Sequence, residues 1–169
     1  VMTSGEAAMQ AINQNKFGKN FFHLGPQRDS SIFEKVKENS TTIDNCEFIL
    51  CTGLFDEDDP DINKTQLHEN NLDYYKNFLT KHISKKLVCT NPDLTVHRGN
   101  KEEYCAGYIA KIFEELGGKV TYYGKPYKEI YEMCFKPNEK VLAIGDNLRT
   151  DIKGANNLNK DCLFISNGV

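Results

Sequence analysis

The chain has 169 residues, of which 39% are hydrophobic and 27% are charged, values that are ordinary for a globular protein. The net charge of -3 provides no basic surface, and we therefore expect no nucleic-acid partner. No apolar run approaches the length that crosses a bilayer, so we expect no membrane partner and a cytoplasmic protein.

The first part of the sequence predicts a helix, two strands and an acidic loop. Thr3 and Glu6 form a capping box that opens the first helix. A second, short helix begins at Ser30 or Ser31, after the first strand. In chain order we expect a helix through about residue 13, strands at 21–24 and 48–51 with a helix ending at 36 between them, and a mobile surface loop at 53–64.

The rest of the sequence continues this alternation of helices and strands. Residues 66–82 predict a longer helix whose apolar face includes Leu72 and Leu79. A later helix ends at Gly117 and Gly118, which suit a left-handed helix terminus. The alternation favours an α/β fold with mainly parallel strands. The expected strands lie at 87–89, 120–123 and 141–144, and a short strand around residue 96 is expected to pair with one at 103–104.

Cysteine and histidine spacing argues against a zinc site. The six cysteines include no Cys-x-x-Cys pair, and four of them lie in or beside apolar strand-like runs. Free cysteine is among the most buried residue types, so we expect reduced thiols in the core. The histidines also lack the spacing of metal ligands. These residues are Cys46, Cys51, Cys89, Cys105, Cys134 and Cys162, with His23, His68, His82 and His97.

A lysine stands at the end of the strand predicted at 120–123, between a glycine and a proline. Gly124 allows close approach of backbone and ligand, and Pro126 suits the start of the next helix. Most lysines are solvated surface charges. Lys125 differs from such lysines, because the flanking Gly124 and Pro126 place it at the carboxyl end of a strand.

Two carboxylates follow the strand predicted at 141–144. Asp146 comes directly after Gly145, and Asp151 lies one turn into the next helix. Ligands bind at the carboxyl ends of strands in open α/β sheets, and two acids there suit Mg²⁺. An ordinary strand-to-helix turn capped by Thr150 also fits this segment. A lysine beside a metal-binding carboxylate, however, is what phosphoryl transfer requires.

These motifs resemble those of the haloacid dehalogenase (HAD) superfamily of phosphatases, specifically subclass IIA, with its NagD-like and p-nitrophenylphosphatase-like members. The segment 124–126 resembles the third motif of the superfamily, and 145–151 resembles the fourth. The opening 1–7 is typical of the sequence just after the second motif. Further matches are Thr90-Asn91-Pro92-Asp93, Cys105-Ala106-Gly107 and Ser166-Asn167-Gly168-Val169.

The resemblance implies a Rossmann-like core, incomplete and lacking its first strands, with an inserted α/β cap domain of the C2 type. Residues 1–17 and 119–169 would be parts of the core, and 18–118 would be the cap. The family's nucleophile lies in an Asp-x-Asp-Gly motif, and the sequence contains none. We therefore expect an N-terminally truncated fragment that is inactive by itself.

The missing first strands have a structural consequence. The strand at 141–144 would present an apolar edge without them. We expect the cap to fold autonomously and the core portion to be poorly stabilised.

The resemblance also implies a mechanism for the intact protein. An upstream aspartate would attack a phosphate monoester and form an aspartyl-phosphate that water hydrolyses. Asp146 would help hold Mg²⁺, and Lys125 would offset the negative charge of phosphate and carboxylates. Asp151 would act through a metal-bound water, or by orienting Lys125 or Asn147.

Other residues are weaker candidates. Asn147 would complete the hydrogen-bond shell around the phosphate, and Asn91 and Asp93 would touch the leaving group, although a turn at Asn-Pro-Asp fits them equally well. The expected substrate is a small phosphorylated metabolite. A homodimer formed through the cap is also compatible with the resemblance.

Two other functions fit the same residues. One is a catalytically silent HAD-fold module for binding or regulation. The other is a nucleotide- or sugar-binding α/β domain in which Asp146 contacts a ribose. The second ranks lower, because the sequence lacks the Gly-x-Gly-x-x-Gly loop of dinucleotide-binding domains.

Overall fold

The computed structural model describes residues 1–55, 72–98 and 101–167. Every strand predicted from the sequence forms, and one further parallel strand follows near the end of the described chain. The helices are α1 (Ser4–Asn13), α2 (Leu72–Lys81), α3 (Ala106–Glu115), α4 (Lys128–Tyr131) and α5 (Lys153–Asn157). The strands are β1 (Phe21–Leu24), β2 (Phe48–Cys51), β3 (Lys86–Cys89), β4 (Thr95–Arg98), β5 (Lys101–Tyr104), β6 (Lys119–Tyr122), β7 (Leu142–Gly145) and β8 (Asp161–Phe164).

Two helical segments depart from regular α geometry. Gln27–Asn39 is a 3₁₀ segment with non-helical backbone at Phe33 and Val36. The sequence predicts a regular helix from residue 30 or 31 to residue 36 within this segment. Phe33 is buried against the sheet, so tertiary packing overrides local propensity there. Leu148–Ile152 is a π-helical turn that leads into α5.

A parallel sheet of four strands, in the order β1-β2-β3-β6, forms the centre of the fold. Leu24 pairs with Cys51, Cys51 with Cys89, and Cys89 with Tyr122, so all four strands end at one edge. The α/β class predicted from the sequence is therefore confirmed. Loops that carry polar side chains leave this edge, as in other open α/β sheets.

Helical elements cover both faces of this sheet, as parallel sheets require. Alternate residues of the strands point to opposite faces. On one face, Ile49 and Leu87 pack against α2 and α3. On the other, Phe48 and Val88 pack in one cluster with residues of α1 and the 3₁₀ segment, and with Tyr123.

Strand β6 lies in the same sheet as the strands that precede it. It pairs with β3 along its whole length, and the Tyr123 amide extends the ladder by donating to the Cys89 carbonyl oxygen at 2.8 Å. The expected division after residue 118 would separate β6 from this sheet. We therefore propose that the cap region continues to Tyr123, and the remaining assignment of residues to cap and core stays a prediction.

Strands β7 and β8 form a separate parallel pair. Leu142 and Ile144 of β7 are 57% and 64% exposed, and Leu163 and Phe164 of β8 are 49% and 46% exposed. The expected apolar edge at residues 141–144 is thus present in the described structure. Such an edge is a hazard for aggregation or strand addition.

The contrast between the two sheets predicts their order of cleavage in limited proteolysis. We expect proteinase K to cut between residues 132 and 167 before it cuts within β1, β2, β3 or β6, because cleavage follows local opening and few buried contacts hold the β7–β8 pair. Mass spectrometry of early fragments measures this order, with the urea-unfolded chain as the control for intrinsic preference. Early cuts inside the four-stranded sheet would show that the β7–β8 region is the more stable one.

The loop predicted at 53–64 begins differently from expectation. Leu54 and Phe55 are each only 8% exposed and belong to the core cluster with Tyr75. The prediction of a surface loop is therefore wrong for residues 53–55, because an apolar pair of this size gains more from burial than from solvent exposure. Residues 56–64 of that loop, and 66–71 of the helix predicted at 66–82, lie outside the described residues.

All six cysteines are free thiols, although they are not all in the core. Cys46, Cys51 and Cys89 are buried, whereas Cys134 is exposed. Burial raises the pKa of the Cys89 thiol to about 12. Within the described parts of the chain, no helix is both long enough and apolar enough to cross a membrane.

Candidate functional site

A cavity of about 500 Å³ lies where the ends of β3, β6 and β7 approach the first turn of α1. Its lining includes Asn91, Asp93, Lys125 and Asn147, four residues that the sequence suggested for the site. They come from segments far apart in the chain. The fold therefore brings these residues into one crevice at the carboxyl ends of strands.

Lys125 forms an ion pair with Asp151, 26 residues further along the chain. The Nζ–Oδ1 distance is 2.5 Å, and the Asp151 side chain is 9% exposed whereas that of Lys125 is 53% exposed. Burial opposes the charge of Asp151, but the hydrogen bond from Lys125 and backbone N–H donors outweigh it, so the pKa of Asp151 is lowered. The carboxylate is therefore charged near neutral pH and holds the ammonium in place.

The turn after β7 is built around the same carboxylate. The Asn147 amide donates to Asp151 Oδ2 at 3.2 Å, and the Asp146 amide donates to the same carboxylate. A Cβ on Gly145 would lie 2.2 Å from Asp151 Cβ, so only glycine fits at this strand end. Asp151 thus contacts both the Lys125 ammonium and the Asn147 backbone, and its role stays a prediction.

Gly124 allows the loop after β3 to approach Lys125. Its φ of +134° is a conformation that favours glycine, and a Cβ there would lie 2.4 Å from Pro92 Cδ. The Asp93 amide donates to Asn91 Oδ1 at 3.1 Å, so these residues form a local turn and also line the cavity. Both expectations for Asn91 and Asp93 are thus compatible with the structure.

Asn147, rather than Thr150, caps the helical turn that follows β7. Its Oδ1 accepts a hydrogen bond from the Arg149 amide at 2.8 Å. The alternative reading of the segment as an ordinary turn capped by Thr150 is therefore wrong in its capping residue. Thr150 instead lies in the wall of the cavity.

Comparisons with known proteins find similar sequences and folds. Residues 122–169, which carry both Lys125 and the turn after β7, match the family model described as HAD-hydrolase-like. The crystal structure of a haloacid dehalogenase-like hydrolase from Brucella suis is similar over 100% of this chain, with 29% identity and a TM-score of 0.78. Part of the chain thus matches a HAD-like family model, and the whole described fold is similar to that of a haloacid dehalogenase-like hydrolase.

Other solved structures share the fold at lower identity. A 4-nitrophenylphosphatase from Thermotoga maritima is 22% identical, with a TM-score of 0.70 over 100% of this chain and 62% of its own. A glycerol phosphate phosphatase from Mycobacterium tuberculosis, in complex with calcium, is 18% identical, with a TM-score of 0.65 over 100% of this chain and 48% of its own. The chain spans 65% of the Brucella protein. None of the curated protein sequences matches it.

Carboxylate oxygens at and beside the cavity are of the type that a magnesium ion takes as ligands. Both Asp151 oxygens already accept hydrogen bonds. Asp93 lines the cavity, and Asp146 is half-buried at the end of β7, directly before Asn147 of the cavity wall. Mg²⁺ commonly takes one or two carboxylates, several waters and substrate phosphate oxygens. In the part of the chain that the structure describes, no three His, Cys, Asp or Glu side chains cluster as a complete metal site.

Sequence reasoning missed two residues of this candidate site. Ser4 begins α1 and lines the cavity, and its place directly after the cap residue Thr3 is the signal that could have identified it. Tyr131 also lines the cavity, and its hydroxyl packs so closely on α5 that a Cβ on Gly154 would lie 2.1 Å away. No local pattern marks Tyr131, because its partners are distant in sequence.

Proposed function

We propose that the intact protein is a Mg²⁺-dependent phosphate monoester hydrolase, and that this chain supplies the phosphate-binding lysine and a metal-binding aspartate. The observation that carries the proposal is the Lys125 ammonium, fixed by a buried carboxylate at the wall of a cavity. The same buried aspartate fixes Lys125 and shapes the turn that bears Asp146, and we infer that it thereby aligns the two charges for one ligand. Phosphoryl transfer depends mainly on such positioning and charge neutralisation.

In this proposal, different residues of the chain bind the phosphate and the metal ion. Lys125 has three N–H donors, one of which Asp151 accepts, so the others are available for phosphoryl oxygens. Asn147 Oδ1 already accepts the Arg149 amide, which leaves its amide nitrogen to donate to the same phosphate. Asp146 would hold Mg²⁺, which supplies further neutralisation of charge when bound.

The covalent step belongs to a residue outside the printed sequence in this proposal. An aspartate of an Asp-x-Asp-Gly motif would attack phosphorus, release the alcohol and form an aspartyl-phosphate for hydrolysis. The structural relatives named as nitrophenyl and glycerol phosphate phosphatases support a small phosphorylated substrate. A cytoplasmic location and a homodimer through the cap stay predictions.

Binding of inorganic phosphate to the 169-residue chain tests the role of Lys125. With Mg²⁺ present, we expect Lys125→Ala to weaken binding at least about 10-fold in isothermal titration calorimetry, because a charge-assisted hydrogen bond to an anion contributes more than about 1.4 kcal/mol. Asp146→Asn should remove the Mg²⁺ dependence of that binding.

Lys128→Ala is the matched control. Lys128 is an exposed lysine three residues further along, paired with Glu132 on the surface of α4. We expect it to leave phosphate affinity unchanged. An equal loss of phosphate affinity in both lysine variants would show that overall charge, and not the position of Lys125, determines binding. Unchanged affinity in both variants would contradict the proposed site.

A further inference from the structure

Lys125 lies in a tight turn that joins β6 to α4. The Tyr127 amide donates to the Gly124 carbonyl oxygen at 2.9 Å and closes this turn. Lys125 is the second residue of the turn, and its ammonium pairs with Asp151. The position of the ammonium therefore depends on the backbone of the turn as well as on the ion pair.

Two aromatic rings connect the two ends of this turn. Tyr122 is the last residue of β6, and Tyr127 comes directly before α4. Their ring centroids lie 4.3 Å apart and their planes differ by 11°, so the rings are stacked. Aromatic pairs stabilise a structure beyond the apolar area that they bury. Because one ring precedes Lys125 and the other follows it, the stack links the chain on both sides of the lysine.

The first of these rings is fixed in the central sheet. Tyr122 is only 7% exposed, and it lies opposite Cys89 in the pairing of β6 with β3. Its hydroxyl donates to Glu114 Oε2 on α3 at 3.3 Å. Tyr127 is 37% exposed and therefore has less packing of its own. Tyr122 is thus the anchor, and Tyr127 is held by it.

A second contact at this end of the turn is weaker than the stack. Asn157 Nδ2 donates to the Pro126 carbonyl oxygen at 3.5 Å, which is long for a hydrogen bond. At the other end of the turn, Gly124 lies so close to Pro92 that a Cβ would be 2.4 Å from its Cδ. The start of the turn is therefore confined by the loop after β3, whereas its end relies mainly on Tyr127.

We propose that Tyr127 is a positioning residue of the phosphate site and holds Lys125 at the cavity through its stack on Tyr122. This inference rests on the proposed function and adds a residue to it. Tyr127 is not among the residues that line the cavity of Lys125, so it acts through the lysine and not by contact with phosphate. A turn that also samples other conformations binds phosphate only in the fraction of molecules that have the lysine in place.

Inorganic phosphate, titrated into the 169-residue chain with Mg²⁺, tests this role. Tyr127→Ala and Tyr127→Leu should each weaken binding by about 3- to 10-fold, because the stack changes the population of the competent turn by no more than its own stabilisation. The leucine variant keeps apolar bulk and provides the result if the alanine variant does not fold. Unchanged affinity in the variants without the ring would overturn the inference.

Tyr127→Phe separates the ring from the hydroxyl. It retains the stacking surface, so its phosphate affinity should stay within about 2-fold of the original. Amide hydrogen exchange at residue 127, whose N–H closes the turn, should be faster in Tyr127→Leu and unchanged in Tyr127→Phe. A loss of affinity in the phenylalanine variant as large as that in Tyr127→Leu would assign the effect to the hydroxyl and overturn the inference.

The matched control is another tyrosine pair with the same spacing. Tyr104 and Tyr108 also have ring centroids 4.3 Å apart, and Tyr108 lies on α3 outside the wall of the Lys125 cavity. Tyr108→Ala should leave phosphate affinity unchanged. A loss there equal to that in Tyr127→Ala would show that general destabilisation, and not the turn, weakens binding.

A double-variant cycle tests whether Tyr127 acts through the lysine. In the Lys125→Ala background, Tyr127→Leu should change phosphate affinity by less than about 2-fold, because the group that it positions is gone. Phosphorus NMR titration follows the weak binding of these variants. A further loss as large as that in the original chain would mean that Tyr127 acts independently of Lys125, which would overturn the inference.

The Lys125→Ala variant keeps the two proposals apart. If it weakens phosphate binding while Tyr127→Ala and Tyr127→Leu do not, only the positioning role is wrong. If phosphate does not bind the original chain, or binds Lys125→Ala equally tightly, the proposed function itself fails.

Discussion

The purified 169-residue chain is expected to hydrolyse p-nitrophenyl phosphate no faster than buffer containing Mg²⁺. The sequence has no Asp-x-Asp-Gly motif, and loss of the nucleophile typically lowers turnover by about 10⁶-fold. The remaining lysine and aspartate can bind and neutralise a phosphate, but they provide no group that replaces the covalent step. Release of p-nitrophenolate, followed at 405 nm over hours with high protein concentration, measures this.

The control must separate the chain from a contaminating phosphatase. Asp146→Asn, purified in parallel, carries the same contaminants and lacks the expected metal ligand. Mg²⁺-dependent turnover that is present in the original chain and absent from Asp146→Asn would contradict the prediction, since it would place a nucleophile within these residues.

Replacing Gly145 by alanine is expected to disrupt the site and destabilise the region from β7 to β8 by about 3 kcal/mol. The added Cβ would lie 2.2 Å from Asp151 Cβ and 2.3 Å from its Cγ. Asp151 is buried and held by Lys125 and the turn, so it cannot move aside without losing those hydrogen bonds. Overpacking of this kind commonly costs 1–3 kcal/mol or more. Amide hydrogen exchange across residues 141–165 measures the change, and phosphate affinity should fall with it.

Gly5→Ala is the matched control, and its effect should have the opposite sign. Gly5 lies in α1, and a Cβ there meets nothing within 4 Å. Alanine should therefore stabilise the helix by up to about 1 kcal/mol. Unchanged exchange in Gly145→Ala would mean that the β7 turn does not pack on Asp151 as described.

The proposed phosphate site also bears on the alternative functions. A silent HAD-like module would retain binding of phosphate at Lys125 even in a complete protein without turnover, so binding alone does not separate it from an enzyme. A ribose-binding domain would use Asp146 without a metal. Loss of the Mg²⁺ dependence of phosphate binding in Asp146→Asn would therefore argue against that third reading.

The sequence by itself determined the local elements and the candidate residues. Four-residue apolar runs bounded by turn residues predict the strands, because the sequence pattern of a strand depends only on a few neighbouring residues. Gly124 and Gly145 mark strand ends because only glycine tolerates the backbone and the close contacts there. Lys125 and Asp146 could be singled out for the same reason, as polar residues that directly follow such runs.

Only the tertiary structure decided how these pieces combine. The pairing of Lys125 with Asp151, the place of β6 beside β3, and the burial of Phe55 each depend on partners distant in sequence. No local pattern encodes such contacts, because their energy comes from surfaces that meet only after folding.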